Sequence, residues 1–517
     1  ALAMDEQGDV HVTGTTFTEA ASYNDIATVT YNNAGDEVWR ESYDSGNRTL
    51  DAAQAIATDD SGNVYVVGRS SAISSPPDLI TIKYHATGKR QWEVRHANTE
   101  QRDYDAYALA VDRSGYIYTA VSTPRQLTLL KYDASGRQQW VTQKDCPNNE
   151  IYHNLALAVD DSGNANLART CSGFNSYSDI VTFKFDSVGT QKWLTRYDAS
   201  PANTYEEAIG LVVDNRGYVY VTGNQGGSRP DYLTIKYEAN GKQLWAATYD
   251  GPGDEYGASR DEVAALAVDS AGDVYVTGTS TASESKQDYL TIKYDKDGAV
   301  LWTARYNGPQ HSYDKATALA LDDDNNVYVT GYSYYSERDA DFATIKYNTE
   351  GQEEWLARYH GQADSRDYAK YIALDAANNI FVLGRSQSGN YSANPYGASV
   401  YTTIKYSQSA PVIIQESKPA SPVTYALSQN FPNPFNPSTT IRYSLAKESH
   451  VTLQIFDLVG REVATLVNEV KSSGAHEAHW NATSLPSGIY LYRLQVSNSA
   501  ANSKPVFIQT RKLILMK

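Results

Sequence analysis

The stretch ALAVDSAGDVYVTGTS (265–280), continued by YLTIKYD (289–295) and AVLWTARY (299–306), determines the fold. It contains four short segments in which apolar and polar residues alternate, and Gly, Asp and Ser separate them. Such alternation predicts β-strands, and short turns between successive strands predict antiparallel pairing. The stretch therefore predicts one four-stranded antiparallel sheet.

Variants of this stretch recur up to about residue 410. LTIKY stands at 233–237 and again at 290–294, with relatives ITIKY (80–84), VTFKF (181–185), ATIKY (343–347) and TTIKY (402–406). A tryptophan recurs every 48 to 57 residues, and a glycine precedes each one by four positions. The tryptophans are Trp39, Trp92, Trp140, Trp193, Trp245, Trp302 and Trp355. A period near fifty with four strands per unit predicts an all-β fold, a β-propeller of four-stranded antiparallel blades.

The number of blades follows from the first strand of each unit. Eight such strands end on an aspartate: Asp5, Asp59, Asp112, Asp160, Asp214, Asp269, Asp322 and Asp375. The turn after each of them carries Gly in six units and Asn in two, which suits a left-handed backbone. We expect eight blades, with seven as the alternative. The eighth unit has APVII (410–414) in place of Gly-x-x-x-Trp, so this segment is either a degenerate outer strand or the ring is closed by a segment upstream of Ala1.

These units resemble the bacterial SBBP repeats, through ALAVDSAGDVYVTGTS (265–280), DYLTIKYDKDG (288–298) and ARYNGP (304–309). The resemblance covers roughly residues 1–410 and implies a propeller, without implying an activity. The recurring lysine of the LTIKY strand, from Lys83 to Lys405, is interpreted as a packed stem whose charged head forms an ion pair between blades.

The remaining chain has a different character. Residues 411–426 (PVIIQESKPASPVTYA) are typical of a linker, and residues 427–517 form short alternating segments separated by turns. This pattern predicts a small Ig-like β-sandwich after the propeller.

The final segment resembles a type A sorting domain of the type IX (Por) secretion system and is similar to the Ig-like domain of flagellar hook-capping proteins. The matching residues include Asn433, Pro434, Phe435, Asn436, Pro437, Gly460, Arg461, Trp480, Gly488, Tyr490, Lys512 and Lys517. The resemblance implies that residues 427–517 engage the type IX machinery. It also implies a Gram-negative bacterium, a signal peptide upstream of Ala1, and release or surface anchoring of the propeller.

Charge and hydropathy exclude several classes of function. The net charge of −17 argues against nucleic acid and anionic membranes as partners, because both are bound through clustered Lys and Arg. No apolar run is long enough to predict a transmembrane helix.

No motif predicts a catalytic residue, a cofactor or a resident metal. The chain has no G-x-S-x-G and no P-loop, and HEAHW (476–480) has the wrong spacing for a zinc motif. DKDG (295–298) and DDDNN (322–326) resemble calcium loops, but they coincide with hairpin turns in which Asp and Asn are common. Calcium at these turns is kept as the alternative.

One set of carboxylates lies eight residues before the aspartate that ends each first strand. The set comprises Asp51, Glu206, Asp261, Asp314 and Asp367. They either form a rim around the central channel that binds a cation or ligand, or accept hydrogen bonds from the loops that they end.

The two cysteines, Cys146 and Cys171, flank a segment of blade four on the side of the long loops. An exported protein meets an oxidising compartment, so we expect a disulfide between them.

These features favour a secreted or cell-surface scaffold that binds a glycan or a protein. The alternatives are a propeller enzyme, either polysaccharide-cleaving or quinone-dependent, and a passive structural surface repeat.

Overall fold

The computed structural model describes residues 1–18, 23–46, 49–72, 76–98, 106–123, 126–145, 154–172, 178–198, 204–253, 259–282, 286–336, 339–361, 366–387, 399–407, 425–427, 430, 437–457, 460–472, 474–483, 485–497 and 506–515. The chain divides into two compact units, Ala1–Ile414 and Gln415–Lys517. The described part contains no helix with the length and hydropathy needed to cross a membrane.

Eight antiparallel sheets follow one another in the described part of the first unit. Sheets 1 to 4 consist of β1 (Leu2–Met4), β2 (Val10–Thr18), β3 (Tyr23–Tyr31), β4 (Glu37–Tyr43); β5 (Thr49–Thr58), β6 (Val64–Ala72), β7 (Asp78–Tyr84), β8 (Arg90–His96); β9 (Ala106–Val111), β10 (Ile117–Ser122), β11 (Gln126–Tyr132), β12 (Gln138–Asp145); and β13 (Leu155–Val159), β14 (Ala165–Ser172), β15 (Ser178–Phe185), β16 (Gln191–Tyr197).

Sheets 5 to 8 consist of β17 (Glu206–Val213), β18 (Val219–Gln225), β19 (Asp231–Tyr237), β20 (Gln243–Tyr249); β21 (Asp261–Val268), β22 (Val274–Ser280), β23 (Asp288–Tyr294), β24 (Val300–Tyr306); β25 (Asp314–Leu321), β26 (Val327–Ser336), β27 (Asp339–Tyr347), β28 (Glu353–Tyr359); and the three strands β29 (Tyr368–Leu374), β30 (Ile380–Gln387), β31 (Ser399–Tyr406). The predicted repeats of four-stranded antiparallel sheets are confirmed, since strands pair in chain order within each sheet.

The turn between the first two strands of each sheet is built by its aspartate. In sheet 6 the Asp269 Oδ1 accepts hydrogen bonds from the backbone N–H groups of Ala271 and Asp273, and Gly272 adopts a φ of +93°. Asn325 and Asn378 take the same left-handed conformation in sheets 7 and 8, with φ of 63° and 59°. The Gly and Asn pattern of the sequence thus reflects a backbone requirement.

Neighbouring sheets are connected by the repeated tryptophans. The Trp245 Nε1 donates to the Lys296 carbonyl of the next sheet at 3.0 Å, and the Trp302 Nε1 donates to the Thr349 carbonyl at 2.9 Å. A Cβ added to Gly298 would lie 2.8 Å from the Trp245 ring, so this glycine leaves room for the tryptophan of the preceding sheet.

The repeated lysines differ from the prediction. The ion pairs that they form lie within one sheet, as for Lys184 with Asp160 at 3.0 Å and Lys293 with Asp273 at 3.2 Å. The predicted ion pair between blades is wrong, because a carboxylate at the turn between the first two strands of the same sheet reaches the lysine. Contact with the next sheet is instead a hydrogen bond to a turn carbonyl, as from Lys236 Nζ to Lys296 O at 2.8 Å.

Sheet 8 packs against sheet 1. Val10 and Val12 of β2 share a buried cluster with Phe381 and Leu383 of β30. The Lys405 Nζ donates to the Asn33 carbonyl at 2.8 Å, which repeats the lysine contact between consecutive sheets.

The described part of the second unit contains two sheets around one core. Its strands are β32 (Ala426–Leu427), β33 (Ser438–Leu445), β34 (Ser449–Phe456), β35 (Glu462–Lys471), β36 (Gly474–Asn481), β37 (Gly488–Ser497) and β38 (Phe507–Leu515). Strands β32, β33 and β36 form one sheet, and β35, β34, β37 and β38 form the other. Trp480 and Tyr490 are 6% exposed, and their rings meet edge to face at 5.9 Å in this core.

Candidate functional site

Sheet 7 differs from its neighbours on the side where its second strand leaves for its third. The hairpin of β26 and β27 extends to the Ser336–Asp339 pair, whereas the corresponding hairpin of sheet 6 ends at the Ser280–Asp288 pair. The extension carries the segment YSYYS (332–336).

Four tyrosines are in ring contact at this extension, and Tyr335 follows one of them in the chain. We call the five residues the tyrosine cluster: Tyr313, Tyr332, Tyr334, Tyr335 and Tyr368. The Tyr332 and Tyr368 rings pack edge to face at 4.6 Å, and the Tyr313 and Tyr334 rings do so at 6.5 Å. The hydroxyls of Tyr334 and Tyr368 are hydrogen bonded at 3.0 Å. Tyr313 is 47% exposed and Tyr335 is 55% exposed, so ring surface stays open to a ligand.

Charged side chains surround the cluster. The Lys286 Nζ lies 4.7 Å from the centroid of the Tyr313 ring. Beside Tyr332 on the sheet, Lys315 forms a 3.3 Å ion pair with Glu262 of the preceding sheet. Burial would raise the pKa of Glu262, but the hydrogen bond from Arg260 and the charge of Lys315 together hold it below its usual range.

The hydroxyls of Tyr332 and Tyr368 stay protonated at neutral pH. Burial, and next to it the neighbouring Tyr334, raises the pKa of Tyr332 to about 12. Burial and the hydrogen bond with Tyr334 also raise the pKa of Tyr368. These two tyrosines therefore offer apolar ring faces together with neutral hydroxyls that donate and accept hydrogen bonds.

The cluster is not part of the repeat. Thr279 and Thr281 occupy the positions of Tyr332 and Tyr334 in sheet 6. The repeat pattern of the sequence does not predict this cluster. Three tyrosines within four residues, found in no other repeat, were the available signal.

The five carboxylates predicted from the sequence are all fully buried, at 0% exposure: Asp51, Glu206, Asp261, Asp314 and Asp367. They do not form an exposed rim, because all five are buried: Asp51 lies in β5, Glu206, Asp261 and Asp314 begin β17, β21 and β25, and Asp367 immediately precedes β29. The Asp314 Oδ2 accepts the Gly308 N–H at 2.6 Å, and the Asp367 Oδ2 accepts the Gly361 N–H at 2.7 Å. These side chains hold the loop that enters each sheet.

The turns that resemble calcium loops use their carboxylates for backbone hydrogen bonds. The Asp295 Oδ1 accepts the N–H groups of Asp297 and Ala299, both at 2.9 Å. The Asp322 Oδ1 accepts those of Asp324 and Asn326.

The residues of the predicted sorting motif are divided between described and undescribed positions. Asn433, Pro434, Phe435, Asn436 and Lys517 lie outside the described residues. The Pro437 carbonyl accepts the Ala482 N–H at 2.9 Å. Gly460, with a φ of +82°, and Arg461 form a turn closed on Asp457. Gly488 and Tyr490 lie on β37 and Lys512 lies on β38.

Cys171 is 3% exposed and disulfide-bonded. Cys146 is the other cysteine of the chain, and it lies outside the described residues, so their pairing stays a prediction.

We expect a thiol titration of unfolded, unreduced protein to find no reactive thiol per chain. A bridge that closes a loop of this length contributes about 3 kcal/mol in the chain-entropy model. Reduction should therefore lower the midpoint of thermal unfolding, and recovery of two thiols without reductant would contradict the bridge.

Comparison with known families identifies the end of the chain. Residues 429–509 match the family described as the secretion system C-terminal sorting domain. The predicted sorting domain is confirmed, and it marks this chain for secretion by the type IX machinery.

Comparisons of the repeats give fold-level similarity. An uncharacterized WD repeat-containing protein of Acanthamoeba polyphaga mimivirus is 26% identical over 275 residues, which covers 42% of this chain and 19% of that protein. The chain therefore spans about a fifth of that relative's length.

Two solved propeller structures are also similar. The β-propeller domain of the Trilobed protease from Pyrococcus furiosus has a TM-score of 0.38 and 10% identity, covering 71% of this chain and 98% of that one. The WD40 domain of SCAP from fission yeast has a TM-score of 0.41 and 9% identity, covering 74% and 92%.

Proposed function

We propose that the first unit is a closed eight-bladed propeller of SBBP-type repeats, exported by the type IX system, that binds a glycan at the tyrosine cluster without cleaving it. In this proposal residues 411–426 are the linker and residues 427–517 are an Ig-like sorting domain. The propeller is then released or held at the outer surface of a Gram-negative bacterium.

The closed ring is supported by the contacts between sheet 8 and sheet 1. A lysine of sheet 8 donates to a turn carbonyl of sheet 1, as lysines do between consecutive sheets along the chain. A seven-bladed ring would have to leave one of the eight sheets outside it, and each of them packs in a buried cluster.

The tyrosine cluster is the single observation that carries the binding function. Exposed aromatic rings stack on the apolar faces of sugar rings, and hydroxyls and charged groups beside them bind sugar hydroxyls. The cluster combines both on the hairpin extension of sheet 7, and the corresponding positions of sheet 6 hold Thr279 and Thr281. It is therefore specific to one place on a repetitive scaffold. Long connections on a rigid scaffold are where binding residues concentrate.

The same geometry disfavours polysaccharide cleavage by the predicted carboxylates. A general acid or base must reach the substrate within hydrogen-bond distance. All five carboxylates are fully buried and belong to different sheets, so no pair of them faces a common ligand.

We expect the full chain to bind a subset of a glycan array, and Tyr335→Ala to weaken that binding at least tenfold, since loss of one stacked ring costs about 1.4 kcal/mol or more. Tyr313→Ala should have a similar effect. Tyr205→Ala is the matched control, because Tyr205 is 42% exposed and lies at the equivalent position before the inner strand of sheet 5. Equal losses in all three variants would place the site elsewhere.

We expect deletion of residues 427–517 to abolish export in the native host while the propeller still folds. The two units have separate cores, so circular dichroism of the truncated protein should retain its β-sheet signal and a cooperative thermal transition. Cell fractionation gives the location, and normal surface display of the truncated chain would contradict the proposal.

A further inference from the structure

Two rings of the tyrosine cluster have a basic residue directly opposite them in their sheet. Lys315 is the cross-strand partner of Tyr332 in sheet 7, and Arg385 is the cross-strand partner of Tyr368 in sheet 8. Residues that face each other across an antiparallel pair have Cβ atoms about 4.5–5.5 Å apart. The register of the strands therefore holds a cation beside each of these two rings.

A third basic residue lies against the ring of Tyr313. The Lys286 Nζ is 4.7 Å from the centroid of that ring, which is within the range of a cation–π contact. The backbone fixes this arrangement, because the Asp314 N–H donates to the Gln287 carbonyl at 2.7 Å and joins the two segments. Three rings of the cluster thus each have their own cation.

The position of Lys315 carries the opposite charge in the two preceding sheets. The corresponding residue is Glu207 in sheet 5 and Glu262 in sheet 6, as the pairing of each with its second strand shows. The repeat itself therefore does not require a cation at this position. The chain as a whole carries a net charge of −17, so three cations beside the tyrosines also depart from its general character.

Neighbouring acids neutralise these three cations only in part. Among the described residues, Glu262 is the one acid that forms an ion pair with any of them, with Lys315 at 3.3 Å. The same carboxylate also pairs with Arg260 at 2.6 Å, so its single charge is shared between two cations. Lys286 and Arg385 are exposed and form no ion pair within the described part of the chain. In that part, the surface beside the rings carries an excess of positive charge.

We propose that the glycan bound at the tyrosine cluster is acidic, and that Lys286, Lys315 and Arg385 bind its carboxylate or sulfate groups. This inference rests on the proposed glycan-binding function. A sugar ring that packs on Tyr313 places its substituents beside the Lys286 ammonium group, where an anionic oxygen gains a charge-assisted hydrogen bond. A chain of strongly negative net charge repels polyanions at long range, so binding of an acidic glycan requires a local site of this kind.

The test is binding of the full chain to immobilised polysaccharides of three kinds. Polygalacturonate and alginate carry carboxylates, dextran sulfate and carrageenan carry sulfates, and dextran and galactomannan are neutral. We expect binding to at least one acidic polymer, and binding to the neutral polymers at least about tenfold weaker. Whether the carboxylated or the sulfated polymers bind identifies the anionic group. Raising NaCl from about 50 mM to about 500 mM should weaken the binding at least about threefold, because salt screens exposed charges.

The double variant Lys286→Gln/Arg385→Gln removes two of the cations and keeps side chains of similar polarity. It should bind the preferred acidic polymer at least about tenfold more weakly than wild type in calorimetric titration, because charge-assisted hydrogen bonds are lost. Both side chains are exposed, so the melting temperature of the variant should equal that of wild type. Lys286→Gln alone, with an expected loss of at least about threefold, carries the test if the double variant melts lower.

Lys144→Gln/Arg69→Gln is the matched control. The Lys144 Nζ lies 6.0 Å from the centroid of the Phe185 ring, away from the tyrosine cluster. Arg69 occupies in sheet 2 the register position that Arg385 has in sheet 8, but its cross-strand partner is Ala52 in place of a tyrosine. This variant should retain the affinity of wild type.

The outcomes separate this inference from the proposed function. If neutral polysaccharides bind as tightly as acidic ones and Tyr335→Ala weakens that binding, the acidic ligand is overturned and the proposed function stands. Binding to no polysaccharide would overturn both. Acidic binding that is unchanged in Lys286→Gln/Arg385→Gln, or is weakened equally in the matched control, would overturn the inference alone.

Discussion

Gly298→Ala is expected to destabilise the propeller by about 2–5 kcal/mol. An L-residue in the left-handed region costs about 1–2 kcal/mol, and Gly298 has a φ of +90°. The added methyl would also lie 2.8 Å from the ring of Trp245, and overpacking of this kind costs about 1–3 kcal/mol. Chemical denaturation followed by tryptophan fluorescence measures the loss, since seven of the eight tryptophans lie in the first unit.

Gly35→Ala separates the two causes. Gly35 has a φ of +88°, but a Cβ added there would meet nothing within 4 Å. This variant should therefore lose only the conformational part, about 1–2 kcal/mol. Equal destabilisation of the two variants would contradict the proposed role of the glycine in receiving the tryptophan of the preceding sheet.

Asp314→Asn is expected to gain stability relative to wild type as the pH rises from 3.5 to 7, by about 3 kcal/mol in total. Burial, only partly offset by hydrogen bonds from Ser333 and the Gly308 N–H, raises the pKa of Asp314 from 3.8 to about 6. The folded state therefore holds the proton more tightly than the unfolded state. The stabilisation is fully present below pH 3.8 and is lost as the pH rises through 6. Asparagine does not titrate and keeps an oxygen to accept the Gly308 N–H.

Asp341→Asn should show the opposite sign. Burial would raise the pKa of Asp341, but His360 and Arg358 hold it below its usual range. Its contribution is therefore present above the unfolded pKa and is lost as the pH falls. Unfolding free energies of wild type and both variants, taken from urea titrations between pH 3.5 and 7, give the two differences. If the free-energy differences of the two variants from wild type change in the same direction with pH, the opposite pKa shifts of Asp314 and Asp341 are contradicted.

The sequence predicted what depends on local pattern. Alternation gave the strands, and Gly or Asn at the first turn gave the left-handed positions of Gly272, Asn325 and Asn378. The sorting domain was predicted because several of its motifs appear in order. The contacts between repeats were harder to predict from the sequence. Gly298 leaves room for the tryptophan of the preceding unit, and not for the tryptophan four residues after it in the chain.

The tyrosine cluster was not predicted, because its residues come from segments that are distant from one another in the sequence. Tyr313 precedes β25, Tyr332 lies on β26 and Tyr368 lies on β29. The register of β25 with β26 brings the first two close, and packing of sheet 8 against sheet 7 adds the third. The buried carboxylates were identified as a set, but their exposure depends on how each entering loop closes over its aspartate.

A crystal structure of the full chain with an oligosaccharide selected by the glycan array tests the central proposal most directly. The proposal predicts an intact sugar whose ring stacks on Tyr313 or Tyr335, with carbon atoms within about 4.5 Å of the aromatic ring. Density for a sugar bound elsewhere on the propeller, or for a cleaved product, would contradict it.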